Sequence, residues 1–112
     1  MQVNIALNNE DGEAAHCSLR ITRHPDGRVQ VCKVSDAGAP LGASADVSMD
    51  SIHRLENLAF GQTCWIPNQD EPLFRITGQG KMAEIRENRA SSEPLFVGLD
   101  ELHTILSQVA AG

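Results

Sequence analysis

The sequence predicts an α+β fold: two tandem β-β-β-β-α repeats whose antiparallel sheets pack on two helices. Three observations predict it. Leu19-Arg20-Ile21-Thr22 returns 55 residues later as Phe74-Arg75-Ile76-Thr77. Met49-Asp50-Ser51-Ile52-His53 returns 50 residues later as Leu99-Asp100-Glu101-Leu102-His103, in the same order along the chain. Around these landmarks, apolar residues alternate at period two and then switch to helical spacing. A repeat of about half the chain length marks a duplicated supersecondary unit. The reading places repeat 1 at 1–61 and repeat 2 at 62–112, in a single domain spanning 1–112.

Val3, Ile5 and Leu7 alternate with Gln2, Asn4 and Ala6, as in a half-buried strand. Asn8 to Glu13 is a polar turn. A second strand covers Cys17–Arg23, with Leu19 and Ile21 on one face and Ser18, Arg20 and Thr22 on the other. His24-Pro25-Asp26-Gly27 is a hairpin signal, because Pro presets φ and Gly accepts φ > 0. The third strand is Arg28–Val34, with Val29 and Val31 inward and Arg28, Gln30 and Cys32 outward. Ser35–Ser44, rich in Ala, Gly and Pro, reads as a loop. A short strand at Ala45–Met49 leads into a helix that Asp50 is expected to cap. Ile52, Leu55 and Ala59 form its apolar stripe, and Gly61 stops it. The second half repeats the plan with strands at Gln62–Ile66, Leu73–Thr77, Lys81–Glu87 and Pro94–Leu99. Gly78-Gln79-Gly80 supplies a hairpin. Asp100 is expected to cap a helix with Leu102, Ile105, Leu106 and Val109 on one stripe.

Composition bounds the function classes. No apolar run reaches the roughly 18–20 residues of a membrane span. The first residues lack the basic and apolar regions of a secretory signal, so the expectation is a cytoplasmic protein with no membrane contact. Three cysteines without CxxC spacing fit a reducing compartment better than a disulfide framework. The net charge is −6, but it is uneven. Residues 20–33 carry +3 and residues 75–89 carry +2, which leaves −11 to the rest. Eight of the nine basic residues lie in these two matching segments. A strongly acidic whole disfavours avid nucleic-acid binding, whereas this placement favours a local basic face.

No catalytic constellation stands out. GxGxxG, Walker, HExxH and GxSxG patterns are absent, so the reading is not an enzyme, with no catalytic residue and no cofactor. His16, Cys17, His24 and Cys32 cluster near one hairpin, but their spacing matches no metal motif and no metal site is expected. His53 and His103 recur at the same helical position. Neither has a nucleophile or metal partner in sequence, so a first-turn structural contact is the plainer reading.

The remaining candidate is the outer sheet face. With Leu19 and Ile21 inward, Arg20, Thr22, Arg28 and Gln30 face outward. The same parity in the second half sends out Arg75, Thr77 and Arg86, joined by Trp65 and Phe96. Such a face can stack bases and hold phosphates; it is also what a solvated strand surface looks like.

Two β4-α units in tandem resemble the Pur-alpha and Whirly group of single-stranded nucleic-acid-binding proteins. The residues that carry the resemblance are the strand-to-helix junctions Val47-Ser48-Met49-Asp50 and Val97-Gly98-Leu99-Asp100, with the LRIT and FRIT strands. The likeness is one of topology across nearly the whole chain, without a specific motif. It implies a basic, aromatic-bearing sheet as a binding face. Two readings follow. One is a binding module using the Arg-bearing face for single-stranded nucleic acid or a partner. The other is an acidic immunity- or inhibitor-type protein that blocks a basic protein partner through charge steering. Small units with many sheet edges also predict a homodimer that covers them.

Overall fold

The computed structural model describes all residues, 1–112. The order is β1 (Gln2–Asn8), β2 (Ala14–Arg23), β3 (Val29–Ser35), β4 (Ala45–Val47), α1 (Met49–Glu56), β5 (Thr63–Ile66), β6 (Phe74–Gln79), β7 (Met82–Glu87), β8 (Leu95–Gly98) and α2 (Leu99–Ala111). No helix is long and apolar enough to cross a membrane.

Whether the strands form one sheet or two was open in the sequence. They form one, antiparallel throughout, in the order β4-β3-β2-β1-β8-β7-β6-β5. The first and last strands join the halves, with Asn8 opposite Phe96. This leaves two edges rather than four. Both edge strands are short, three residues in β4 and four in β5, which limits the template they offer to other chains.

The sheet curls. Lys33 Nζ of β3 donates to Glu87 Oε1 of β7 at 2.7 Å, although these strands stand four places apart in the sheet. In a flat sheet, four steps would separate them by about 19 Å. Alternation sends Ile5, Leu19, Ile21, Val29, Val31, Ile76 and Ile85 to the concave side, where they join one cluster of 22 buried residues. Ile52 and Leu55 of α1, with Leu102, Leu106 and Val109 of α2, belong to the same cluster.

The helices differ from expectation at their ends. Ser48, not Asp50, caps α1: its Oγ accepts from Ser51 N at 3.2 Å. Gly98 occupies the corresponding place before α2 with no side-chain cap, so Asp100 is a first-turn acid there too. The strand reaches the helix across the single residue Ser48 in the first case and directly in the second, which moves the cap forward and leaves the acids to act on the helix dipole. The α1 helix ends at Glu56, capped by Asn57; Leu58 is buried and Ala59 exposed, so the stripe shifts by one residue beyond the helix. The early end of α1 has a cause at Gly78. A Cβ there would lie 2.3 Å from Ala59 O, so the linker after α1 sits directly on the β6 backbone.

Arg23 of β2 holds the far end of α2. Its Nη1 donates to Val109 O at 2.6 Å and Ala110 O at 3.1 Å. These carbonyls have no partner inside the helix, and a cation there also meets the negative end of the dipole. Arg23→Ala should therefore lower stability by about 1.5–3 kcal/mol, read from urea unfolding. Gly78→Ala should cost about 1–3 kcal/mol by displacing the Ala59 backbone. An unchanged midpoint in either variant contradicts the corresponding contact.

Candidate functional site

The outer sheet face is a set of cross-strand rows, and the two halves differ along them. In the first half, Arg20 stands between Asn4 and Cys32, and Thr22 between Gln2 and Gln30. Arg20 Nε donates to Asn4 Oδ1 at 3.1 Å, and its Nη1 reaches Gly38 O at 3.5 Å. The loop after β3 folds back over this face: Val34 bridges to Pro40 and is buried on the outer side. The Arg20 guanidinium is thus packed beneath a loop. Gln30 accepts from His24 Nε2 at 2.8 Å and donates to Asp46 Oδ1 at 3.2 Å. Arg28 lies in the turn before β3; its backbone N–H donates to Asp26 Oδ1 at 3.0 Å and its Nε to Oδ2 at 2.9 Å, and these bonds hold the Asp26 carboxyl below its ordinary range. These four residues do not converge.

In the second half, Trp65, Arg75 and Arg86 form one row across β5, β6 and β7. The Arg75 guanidinium lies 5.7 Å from the Trp65 ring centroid, a cation–π contact worth about 0.5–1 kcal/mol at such a site. Arg75 has no carboxylate within salt-bridge distance. A cleft of about 440 Å³ opens here, lined by Trp65, Arg75, Arg86, Glu87, Asn88 and Arg89. Thr77 lies in the neighbouring row with Thr63, their hydroxyls 3.0 Å apart, followed by Glu84 and Phe96. Glu84 is nearly buried and accepts from Gln79 Nε2 at 3.0 Å and Arg86 Nε at 3.1 Å. Arg89 Nε lies 3.3 Å from Glu87 Oε2, a carboxylate already shared with Lys33. The cleft therefore presents more guanidinium than free carboxylate.

Arg89 and Asn88 were not among the expected face residues. The signal was present, since Arg89 closes the basic segment 75–89, but it follows the end of β7, where strand parity no longer says which way a side chain points.

The other singled-out groups are engaged locally. His16, at φ 57° in a bulge of β2, pairs with Asp36 at 3.2 Å, while Cys17 is buried on the concave side. No three His, Cys, Asp or Glu side chains gather as a metal site. The repeated histidines tie the helices together by different bonds. His103 Nε2 donates to Leu58 O at 2.7 Å; a carbonyl only accepts, so this nitrogen carries the proton. His53 Nδ1 meets Glu56 Oε1 at 2.6 Å, and Ser107 Oγ of α2 donates to Glu56 Oε2 at 3.0 Å. No protein-family model, curated protein or solved structure matches this chain.

The bonds from His53 and then Ser107 lower the Glu56 carboxyl from its usual 4.5. Glu56 thus binds its proton less readily folded than unfolded. Its stabilisation is present above about pH 4.5 and is lost as pH falls toward the folded value. Glu56→Gln should flatten the fall in stability on acidification through this range, measured by urea unfolding at stepped pH. A slope equal to that of the parent rules out the linkage.

Proposed function

We propose that this protein is a binding module, not an enzyme, that takes single-stranded nucleic acid on the outer face of β5–β7. The observation that carries the reading is the Trp65–Arg75–Arg86 row with Arg89 beside it, opening on one cleft. Its chemistry suits a planar, aromatic, anionic ligand. Guanidinium forks hold phosphate oxygens, while the Trp65 ring and the Arg75 plane offer faces for a base. Two phosphates and one or two bases fill such a site; the acidic remainder of the chain keeps binding modest and salt-sensitive.

We also read the two β4-α runs as copies of one unit, in the manner of the Pur-alpha and Whirly group. The support is positional. LRIT lies in the second strand of the first run and FRIT in the second strand of the next. In the sheet, each strand of the second run stands four places from its counterpart. The copies have diverged on the outer face, where Asn4 and Cys32 flank Arg20 but Trp65 and Arg86 flank Arg75. Binding through one copy accounts for that asymmetry.

Trp65 is the sole tryptophan and there is no tyrosine, so intrinsic emission comes from this row. A mixed-sequence single-stranded oligonucleotide should quench it at low salt. Arg75→Glu and Arg86→Glu should each weaken binding and reduce the salt slope by roughly 0.7 per lost phosphate contact. Arg20→Glu should leave the slope unchanged. Absence of quenching and of binding at tens of micromolar removes the nucleic-acid reading. It would favour instead an acidic protein that blocks a basic partner, tested by pull-down on cationic proteins.

A further inference from the structure

The ninth basic residue, Arg54, lies outside both basic segments and beside the open edge of the sheet. Hydrogen bonds from Gly78 N to Gln62 O at 3.0 Å and from Leu73 N to Ile66 O at 2.7 Å set the alternation along β5. Gln62, Cys64 and Ile66 turn their backbone groups to β6. Thr63 and Trp65 turn theirs the other way. Since β5 ends the sheet, no strand is there to receive them. Two N–H donors and two C=O acceptors therefore stand at strand spacing along a free edge.

A groove follows this edge with α1 as its opposite wall. One part, about 540 Å³, is lined by residues that include His53, Asn57 and Gln62; the other, about 280 Å³, by residues that include Ser48, Asp50 and Asn68. Arg54, Thr63 and Cys64 line both. Arg54 has no carboxylate within salt-bridge distance, while its neighbour His53 is engaged with Glu56. Asp50, one turn earlier on α1, marks the other end of the groove.

We propose that this groove binds an extended acidic peptide segment, which adds as a ninth strand beside β5 and places one carboxylate against Arg54. The alternating donors and acceptors of Thr63 and Trp65 are completed by a peptide backbone. A phosphodiester has no N–H to offer the Thr63 and Trp65 carbonyls, so nucleic acid does not match this edge. A second copy of the chain would bring Arg54 as well as Asp50 into the seam and so offers no net negative charge there, as an acidic peptide does. The acid belongs opposite Arg54 and not opposite Asp50, which fixes the register of the segment along the edge.

The probe is the capped heptapeptide STVEVTS, with STVQVTS as its neutral counterpart, titrated into the isotopically labelled full chain. Amide signals of Thr63 and Trp65 should shift, and their hydrogen exchange should slow about tenfold at saturation. STVQVTS, or Arg54→Gln with STVEVTS, should bind about threefold to tenfold more weakly. Arg54 is exposed, so its replacement leaves the core intact. No shift at Thr63 and Trp65 at about 2 mM peptide overturns the proposal. Equal binding of the two peptides overturns it as well. Protection of the same amides without peptide, rising with protein concentration, overturns it in favour of a second copy.

Discussion

The pairing of β1 with β8, through Asn8 and Phe96, is the joint on which the architecture depends. Without it, each half has one curved face, one helix and two open edges. With it, eight strands share one concave side. Both helices then bury their stripes in a common cluster with the inner residues of every strand. The curl brings distant strands within reach of each other, as Lys33 and Glu87 record. Both side chains are mostly covered, 18% and 19% exposed, so the pair is shielded from salt more than a surface bridge is. Arg89 adds a second cation to Glu87 at the rim. The same curvature leaves β4 and β5 apart, with α1 beside the gap.

Strand parity makes Arg20 and Arg75 alike, and their neighbours make them different. Both point outward because Leu19, Ile21, Phe74 and Ile76 are claimed by the core. Arg20 finds an amide at Asn4 and a carbonyl at Gly38, and a loop closes over it. Arg75 finds an indole on one side and another guanidinium on the other. The Arg20 guanidinium is already taken up by neighbouring oxygens, whereas Arg75 has none, and Arg86 beside it meets Glu84 through Nε alone and keeps its terminal nitrogens for a phosphate. The difference between the two arginines is therefore a property of the cross-strand rows and not of the repeated motif itself.

Much of this was legible in the sequence because alternation is a local signal. The positions of Leu19, Ile21, Val29, Val31, Phe74 and Ile76 follow from period two alone, as does the outward placement of Arg20, Arg75 and Trp65. Helix existence was equally legible from Leu102, Leu106 and Val109. What failed was nonlocal or steric. A carboxylate suits a cap, so Asp50 fits the place on sequence alone, but the helix begins at Met49, separated from β4 by one residue, and the place falls to Ser48. The end of α1 depended on contact between Ala59 and Gly78, which no local pattern carries. Joining of the sheets turned on the Asn8–Phe96 register, and the fate of Arg20 on where a glycine-rich loop came to rest. Arg54 drew no notice because one exposed cation on a helix is unremarkable until the strand beside it proves to be an edge.

The long reach of the β1–β8 joint and of the Arg23 contact sets an order of events. Arg23 and Val109 are 86 residues apart, and Asn8 waits slightly longer for Phe96. During synthesis, the first four strands emerge with β1 exposed on the side that β8 will later occupy. The meander from β1 to β4 can pair locally, but its concave face has no α2 to cover it. Contacts of such sequence separation slow folding, because the loop must be closed before its contacts form. The nascent first half thus exposes an apolar concave face until β8 and α2 arrive.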